Sequence, residues 1–407
     1  MNKCPLCEDE EDLKQLFEAS NAFVSVAEIQ KFPYKKSDNY CKGDLDIEIV
    51  QCNKCGYIYN TKFDNNKMQK AYCSGEYITP TTLSKTMNSY VKFLRDKIKQ
   101  YAKKDSIFLE IAPGGCDLLF ALSKDSKFIY SVDPSVTPST LLKDVQNIQH
   151  IKGCFSYDVI NQKLSHKIDF IISRHLIEHI DTPRKFLEDI VKIIANNGII
   201  YLETPNILNI FESKRFYEIR HEHCGYYQNA TLINIMKEFG CELLECLSLY
   251  DGQWLGWFFK KNSNFCQSKE DFKVFDETIN IELINEKNKL EQLLLNYKKI
   301  AIYGGGSHAN SLISYLSTNI CKKIVCAIDK DKRRHGSYLQ NSDILILEPS
   351  IENLKNIDCI VMAMPIYEKI VFEKEILKIL IEGKIGLDII FTSNIIQIKN
   401  QCFKDKS

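Results

Sequence analysis

Residues 220–227 read RHEHCGYY, two histidines around a glutamate followed by two tyrosines. Three uses suit such a cluster: ligation of a metal ion, acid–base work near neutral pH, where imidazole titrates, or polar side chains on a loop. A second reactive group is the pair of Cys-x-x-Cys knuckles, Cys4 and Cys7 in CPLC and Cys52 and Cys55 in QCNKCGYIY. Each tight turn aims two thiolates at one point, so a small sheet joining the knuckles would complete a tetrahedral zinc site. Residues 175–179 spell H-x-x-E-H, which on a helix would set His175 and His179 on one face as two metal ligands. No third ligand for a protease site is evident in the sequence.

A third constellation lies in FLEIAPGGCD, residues 108–117: a strand, the acidic Glu110, a turn of small residues around Gly114, then a helix. The next strand ends on Asp133 in SVDPS, placed to accept hydrogen bonds from ribose hydroxyls. Both a dinucleotide and S-adenosylmethionine satisfy that much. The G-x-G-x-x-G turn that would face a pyrophosphate is absent, however, and Glu110 suits the cationic amino group of a methionine moiety better than a pyrophosphate.

The elements that must carry these residues fall into segments. Residues 1–65 are expected to be a zinc-binding module, with no basic helix for nucleic acid. From 66 to 266, the apolar runs SIFLEIA, KFIYSVD, NIQHIKG, IDFIIS and GIIYLET alternate with helical stretches and read as buried parallel strands. Two final runs split at Asp251-Gly252 predict a closing hairpin, hence a doubly wound α/β domain. Residues 267–298, with Phe272, Phe275, Ile279, Leu283, Leu290 and Leu294 near helical spacing, predict a connecting helix. Residues 299–407 restart with KIAIYGGGSHANSL as a second, Rossmann-like unit. Its glycine turn before a helix favours anions and points to Gly304 and Gly306 as substrate-binding or purely structural positions.

Composition sets bounds. With 53 basic and 53 acidic residues, no net field attracts nucleic acid or an anionic membrane. Sixteen cysteines without an apolar leader or a spanning run suggest reduced thiols in the cytoplasm rather than a disulfide scaffold.

FLEIAPGGCDLL, SVDPS, FIISRHLIEHIDTPRKFL and GIIYLETP, in this order and spacing, resemble the S-adenosylmethionine-dependent class I methyltransferases. With the cysteine knuckles, the HEHCGYY stretch and YGGGSHANSL…AIDKDKRRHGSYL, nearly the whole chain resembles the three-domain sugar C-methyltransferases of nucleotide-linked deoxysugar pathways. The resemblance implies S-adenosylmethionine held by Glu110, Ala112, Gly114, Asp133, Arg174 and His175, and a structural zinc on Cys4, Cys7, Cys52 and Cys55. It leaves His179 a structural histidine at a helix end. It implies His223 as the base, Glu222 orienting or polarising nearby groups, Tyr226 lining the site and His221 as support.

The chain departs from the family where Ala112 and Cys116 replace turn glycines, where Arg220 stands in place of tyrosine, and where AMPIYE replaces an Asn-containing loop. Arg220 puts a fixed charge where substrate should lie, which implies a carboxylate or phosphate on the acceptor. The expected function is C-methylation of a nucleotide-linked keto sugar for a surface polysaccharide or glycoconjugate. The competing expectations are O- or N-methylation of a related molecule, or a non-catalytic zinc and nucleotide-sugar binding protein.

Overall fold

The computed structural model describes residues 3–9, 12–24, 30–73, 85–262 and 268–399. Near the N-terminus, β1 (Leu13–Ala22), β2 (Leu45–Cys52) and β3 (Ile58–Asn60) form an antiparallel meander. The register from Leu13–Cys52 to Ala22–Leu45 brings the residues after Cys7 back beside Cys52, so the distant knuckles meet.

The central sheet holds β4 (Ile107–Ile111), β5 (Phe128–Asp133), β6 (Ile148–Lys152), β7 (Ile168–Arg174) and β8 (Ile194–Pro205), all parallel. The chain then leaves it for β9 (Gly225–Tyr226), which pairs antiparallel with β3 in the N-terminal sheet. It returns as the hairpin β10 (Cys241–Leu249) and β11 (Trp254–Lys261), giving the order β10-β11-β8-β7-β4-β5-β6. Every residue of β4 is buried, as its unbroken apolar run requires when both faces of a parallel sheet are covered. One face packs under the helix Lys85–Tyr101 through Tyr90, Leu94 and Ile98. The other packs against Leu6, Tyr57 and Tyr59 beside the knuckles, so the cysteine module and the central sheet share one core.

A third sheet contains β12 (Ile300–Tyr303), β13 (Ile324–Ile328), β14 (Leu345–Leu347), β15 (Cys359–Met362), β16 (Asp388–Phe391) and β17 (Ile396–Ile398), in the order β14-β13-β12-β15-β16-β17. Only β17 runs antiparallel. Its core continues through the helix Thr278–Leu294 into Phe17, Ile47 and Ile49 of the N-terminal sheet. The small first sheet therefore binds the two larger ones together.

The expected connecting helix is shorter than its apolar spacing suggests, and the boundary at 266/267 lies outside the described residues. Leu283, Leu290 and Leu294 form its buried face, but Phe272 and Phe275 precede it. There the amides of Gln51 and Gln228 bond the backbone of Lys273 and Phe275, standing in for strand partners. Among the described residues, no helix is long and apolar enough to cross a membrane.

Candidate active site

Four charged side chains stand at the carboxyl ends of four neighbouring strands: Glu203 on β8, Arg174 on β7, Glu110 on β4 and Asp133 on β5. This edge is where open parallel sheets take their ligands. Arg174 Nη2 lies 3.5 Å from Glu110 Oε1, while Glu110 Oε2 is buried and has no partner. Burial drives the Glu110 carboxyl up to about 7 against the pull of Arg174. An orphaned buried carboxylate oxygen suits a cationic ammonium group. Asp133 Oδ1 accepts from the backbone N–H of Ser135 at 2.7 Å, which fixes the carboxylate at the strand end.

The turn after β4 keeps its shape despite lacking two glycines. Ala112 (φ 52°), Gly114 (φ 55°) and Cys116 (φ 62°) are all left-handed, and His175 after β7 is too (φ 50°). Strain of ~1 kcal/mol per non-glycine position persists only where the surroundings impose it, and here it gathers just after the neighbouring strands β4 and β7.

His175 does not share a helix face with His179, since only Ile177–His179 turns, as a 3-10 helix. Burial alone would lower the imidazole, but Glu178 and Glu203 outweigh it and raise it to about 9. His175 Nε2 lies 2.9 Å from Glu203 Oε1, and the ring meets Trp254 edge-on at 4.2 Å. Tyr90 and Tyr201 hydroxyls also donate to Glu203. The sequence reading missed Glu203, Tyr90 and Trp254; a glutamate inside the apolar run GIIYLETP was the available signal.

The octet reaches this edge as a strand of the cysteine module. Pairing of β9 with β3 holds Gly225 and Tyr226, and Tyr226 Oη bonds both the N–H and the carbonyl of Arg220, closing the turn. His221 occupies an anchoring position. Its Nε2 accepts from the Asp64 N–H at 2.9 Å and its Nδ1 donates to the Asp46 carbonyl at 2.9 Å, so both nitrogens are committed to backbone.

His223 is 8% exposed and its Nδ1 is buried without a partner. Burial, reinforced by the fields of His179 and Arg220, holds its imidazole well below the ordinary range, hence neutral. His179 stands beside it, ring centroids 4.9 Å apart, with Nδ1 donating to the Glu222 carbonyl at 2.8 Å. Glu222 is fully buried, with Oε1 4.0 Å from Arg220 Nη1. His179 thus joins the cluster at the sheet edge instead of serving merely as a helix end. A neutral imidazole with an unsatisfied nitrogen, beside a second imidazole and a carboxylate, can take a proton from a bound substrate.

The cysteine sulfurs converge as expected. Cys4 Sγ and Cys55 Sγ lie 3.6 Å apart, Cys7 Sγ and Cys52 Sγ 3.8 Å, and all four fall within 4.8 Å of one another. Tetrahedral ligation at Zn–S distances of ~2.3 Å needs sulfurs about 3.8 Å apart. Hydrogen bonds from Cys4 and Cys55 draw the Cys52 and Cys7 thiols down, while the same contacts raise Cys4 and Cys55.

In the C-terminal unit, Gly304 (φ 104°) packs against the Ala363 carbonyl and serves the turn, whereas a Cβ on Gly306 would meet only the Arg334 guanidinium, at 3.8 Å. Asp329 bonds the Gly305 N–H at 2.7 Å and so caps that turn itself.

Residues 85–246 match the family model described as a methyltransferase domain. A solved S-adenosylmethionine-dependent methyltransferase from Clostridium acetobutylicum is similar over 43% of this chain and 92% of its own, at 12% identity and TM-score 0.35. The N-methyltransferase NodS from Bradyrhizobium japonicum is similar over 43% and 98%, at 14% identity and TM-score 0.34. A search of curated proteins gives no match. Residues 85–246 form a class I methyltransferase domain.

Proposed function

We propose that this enzyme methylates a carbon beside the carbonyl of a nucleotide-linked keto sugar, in the cytoplasm, for a polysaccharide or other glycoconjugate. The observation that carries the chemistry is His223: buried, neutral, with an unpartnered nitrogen, and delivered by β9 to the ligand edge of the central sheet. The sugar and its nucleotide rest on the ordered likeness of HEHCGYY and the flanking motifs to the sugar C-methyltransferases.

S-Adenosylmethionine supplies an electrophilic methyl group on a sulfonium. Glu110 would hold its ammonium and Asp133 its ribose, with Ala112, Gly114, Arg174 and His175 completing the site. His223 would take the proton from the carbon next to the acceptor carbonyl, leaving that carbon as the nucleophile for the methyl group that S-adenosylmethionine would supply. Glu222 and Tyr226 hold the turn that positions His223. The assay that tests this uses labelled S-adenosylmethionine with a panel of nucleotide-linked 4-keto sugars in deuterated water. Label in the product with exchange at the adjacent carbon supports C-methylation; label without exchange means an oxygen or nitrogen acceptor.

Glu110 gives a cofactor test with a definite sign. An ammonium is held by the ionised carboxylate, and this carboxyl titrates at about 7. Affinity for S-adenosylmethionine should therefore rise about tenfold per pH unit up to neutrality and then level off. Calorimetry on Glu110→Gln should show weak binding that no longer follows pH in this range; a variant with wild-type affinity excludes this role.

We further propose a structural zinc on Cys4, Cys7, Cys52 and Cys55. Elemental analysis should find about one equivalent, and Cys52→Ser should release it. Because β3 follows the second knuckle directly and carries β9, loss of the ion should abolish methyl transfer while changing S-adenosylmethionine affinity by less than about threefold.

A further inference from the structure

Arg220 is the least accounted-for charge in the site. It is 7% exposed, its Nε is buried without a partner among the described residues, and the Glu222 carboxylate stands at 4.0 Å, outside hydrogen-bond range. A buried guanidinium normally engages an oxyanion through two parallel N–H bonds. Here Nη1 instead donates to Ser307 Oγ at 3.1 Å, the first residue of the helix Ser307–Tyr315. No side chain caps that helix, and its first-turn N–H groups carry partial positive charge.

The other side of the same helix start is also basic. A Cβ on Gly306 would meet nothing nearer than the Arg334 guanidinium at 3.8 Å, and Arg334 Nη1 leans on the Gly305 carbonyl at 3.4 Å. Two arginines from separate segments thus flank one helix N-terminus. Arg220 also belongs to the turn that presents the base, since the His223 N–H bonds the Arg220 carbonyl at 3.3 Å.

We infer that Arg220 and the N-terminus of the helix Ser307–Tyr315 form an oxyanion site for a carboxylate or phosphoryl group carried by the acceptor, so the acceptor is anionic near its reacting end. This deepens the reading of His223 as the base and rests on it for the acceptor's orientation; the site itself does not. An oxyanion there would satisfy Nε and Nη of Arg220 together, while the Ser307 hydroxyl turns to donate to it.

The test needs no methyl transfer. Thermal unfolding of the full-length protein is followed in inorganic phosphate or malonate, at ionic strength held constant with chloride. Wild type should be stabilised by at least one of them, and the apparent affinity should fall at least tenfold in Arg220→Gln while Arg220→Lys keeps an intermediate value. S-Adenosylmethionine binding by each variant verifies its fold, and Arg220→Lys decides alone if the glutamine variant does not fold. Preference for malonate assigns a carboxylate, preference for phosphate a phosphoryl group. Equal stabilisation of wild type and Arg220 variants, or none of wild type, overturns the site. Retention of the anion effect in His223→Gln separates this inference from the proposed catalysis, because failure of either leaves the other standing.

Discussion

Replacing His223 by glutamine is expected to lower kcat by ~10²- to 10⁴-fold, the range a positioned general base contributes, and to stop solvent exchange into the acceptor. The fold should tolerate the change, since the His223 Nδ1 has no partner to lose. The pH profile makes the test specific. Only neutral imidazole accepts a proton, and burial first, then His179 and Arg220, hold its titration well below the ordinary ~6.5. The acid limb of kcat/KM in wild type should therefore fall below that value, leaving a plateau through neutrality.

Linkage gives a second readout with the same origin. A histidine whose folded pKa is depressed contributes stability that is fully present above the unfolded value of ~6.5 and is lost as pH falls toward the folded value. Wild type should thus lose more stability than His223→Gln between pH 7 and 5, measured by denaturant titration of both proteins. Parallel stability curves would mean that His223 is not held neutral by its surroundings. A glutamine variant with wild-type turnover would remove it from the chemistry.

The parts of the molecule set by local pattern were legible in the sequence. Continuous apolar runs predicted β4 to β8, and the break at Asp251-Gly252 predicted the β10–β11 hairpin, because burial on both faces and turn chemistry are written in consecutive residues. The turn after β4 was legible too, and Ala112 and Cys116, which stand in place of turn glycines, both adopt the conformation that glycine would take.

Placement across the chain was harder to see. Phe272 and Phe275 sit near helical spacing, yet the amides of Gln51 and Gln228, some 220 and 45 residues away in sequence, hold that stretch extended. His221 and His223 look equivalent in the octet. They diverge because β9 pairs with β3: His221 is committed to the Asp46 and Asp64 backbone, while His223 lies beside His179. His179 itself, in a motif that resembles a zinc-protease pattern, reveals its place only once Ile177–His179 packs against the octet.

That dependence on β9 makes Gly225→Ala the severest test of how the site is assembled. A Cβ at this position would lie 1.9 Å from the Tyr57 hydroxyl and 2.8 Å from its ring carbon. Tyr57 cannot swing away, because it is buried with its ring 5.1 Å from Tyr227 and 5.6 Å from Tyr59. The cost of such overpacking, ~1–3 kcal/mol, exceeds what two residue pairs of a short strand hold, so β9 should leave β3 before the sheet itself breaks. His223 and Glu222 would then shift by an ångström or more, and a misplacement of that size costs ~10²-fold in rate.

Glu110, Asp133 and Arg174 stand on other strands, so calorimetry should find S-adenosylmethionine affinity unchanged. Adding Tyr57→Phe removes the hydroxyl that makes the closest contact and should restore part of the lost activity. Full activity in Gly225→Ala would mean the octet does not need its place in the cysteine module's sheet. Loss of activity together with loss of cofactor binding would mean that the shared core, rather than the strand, had failed.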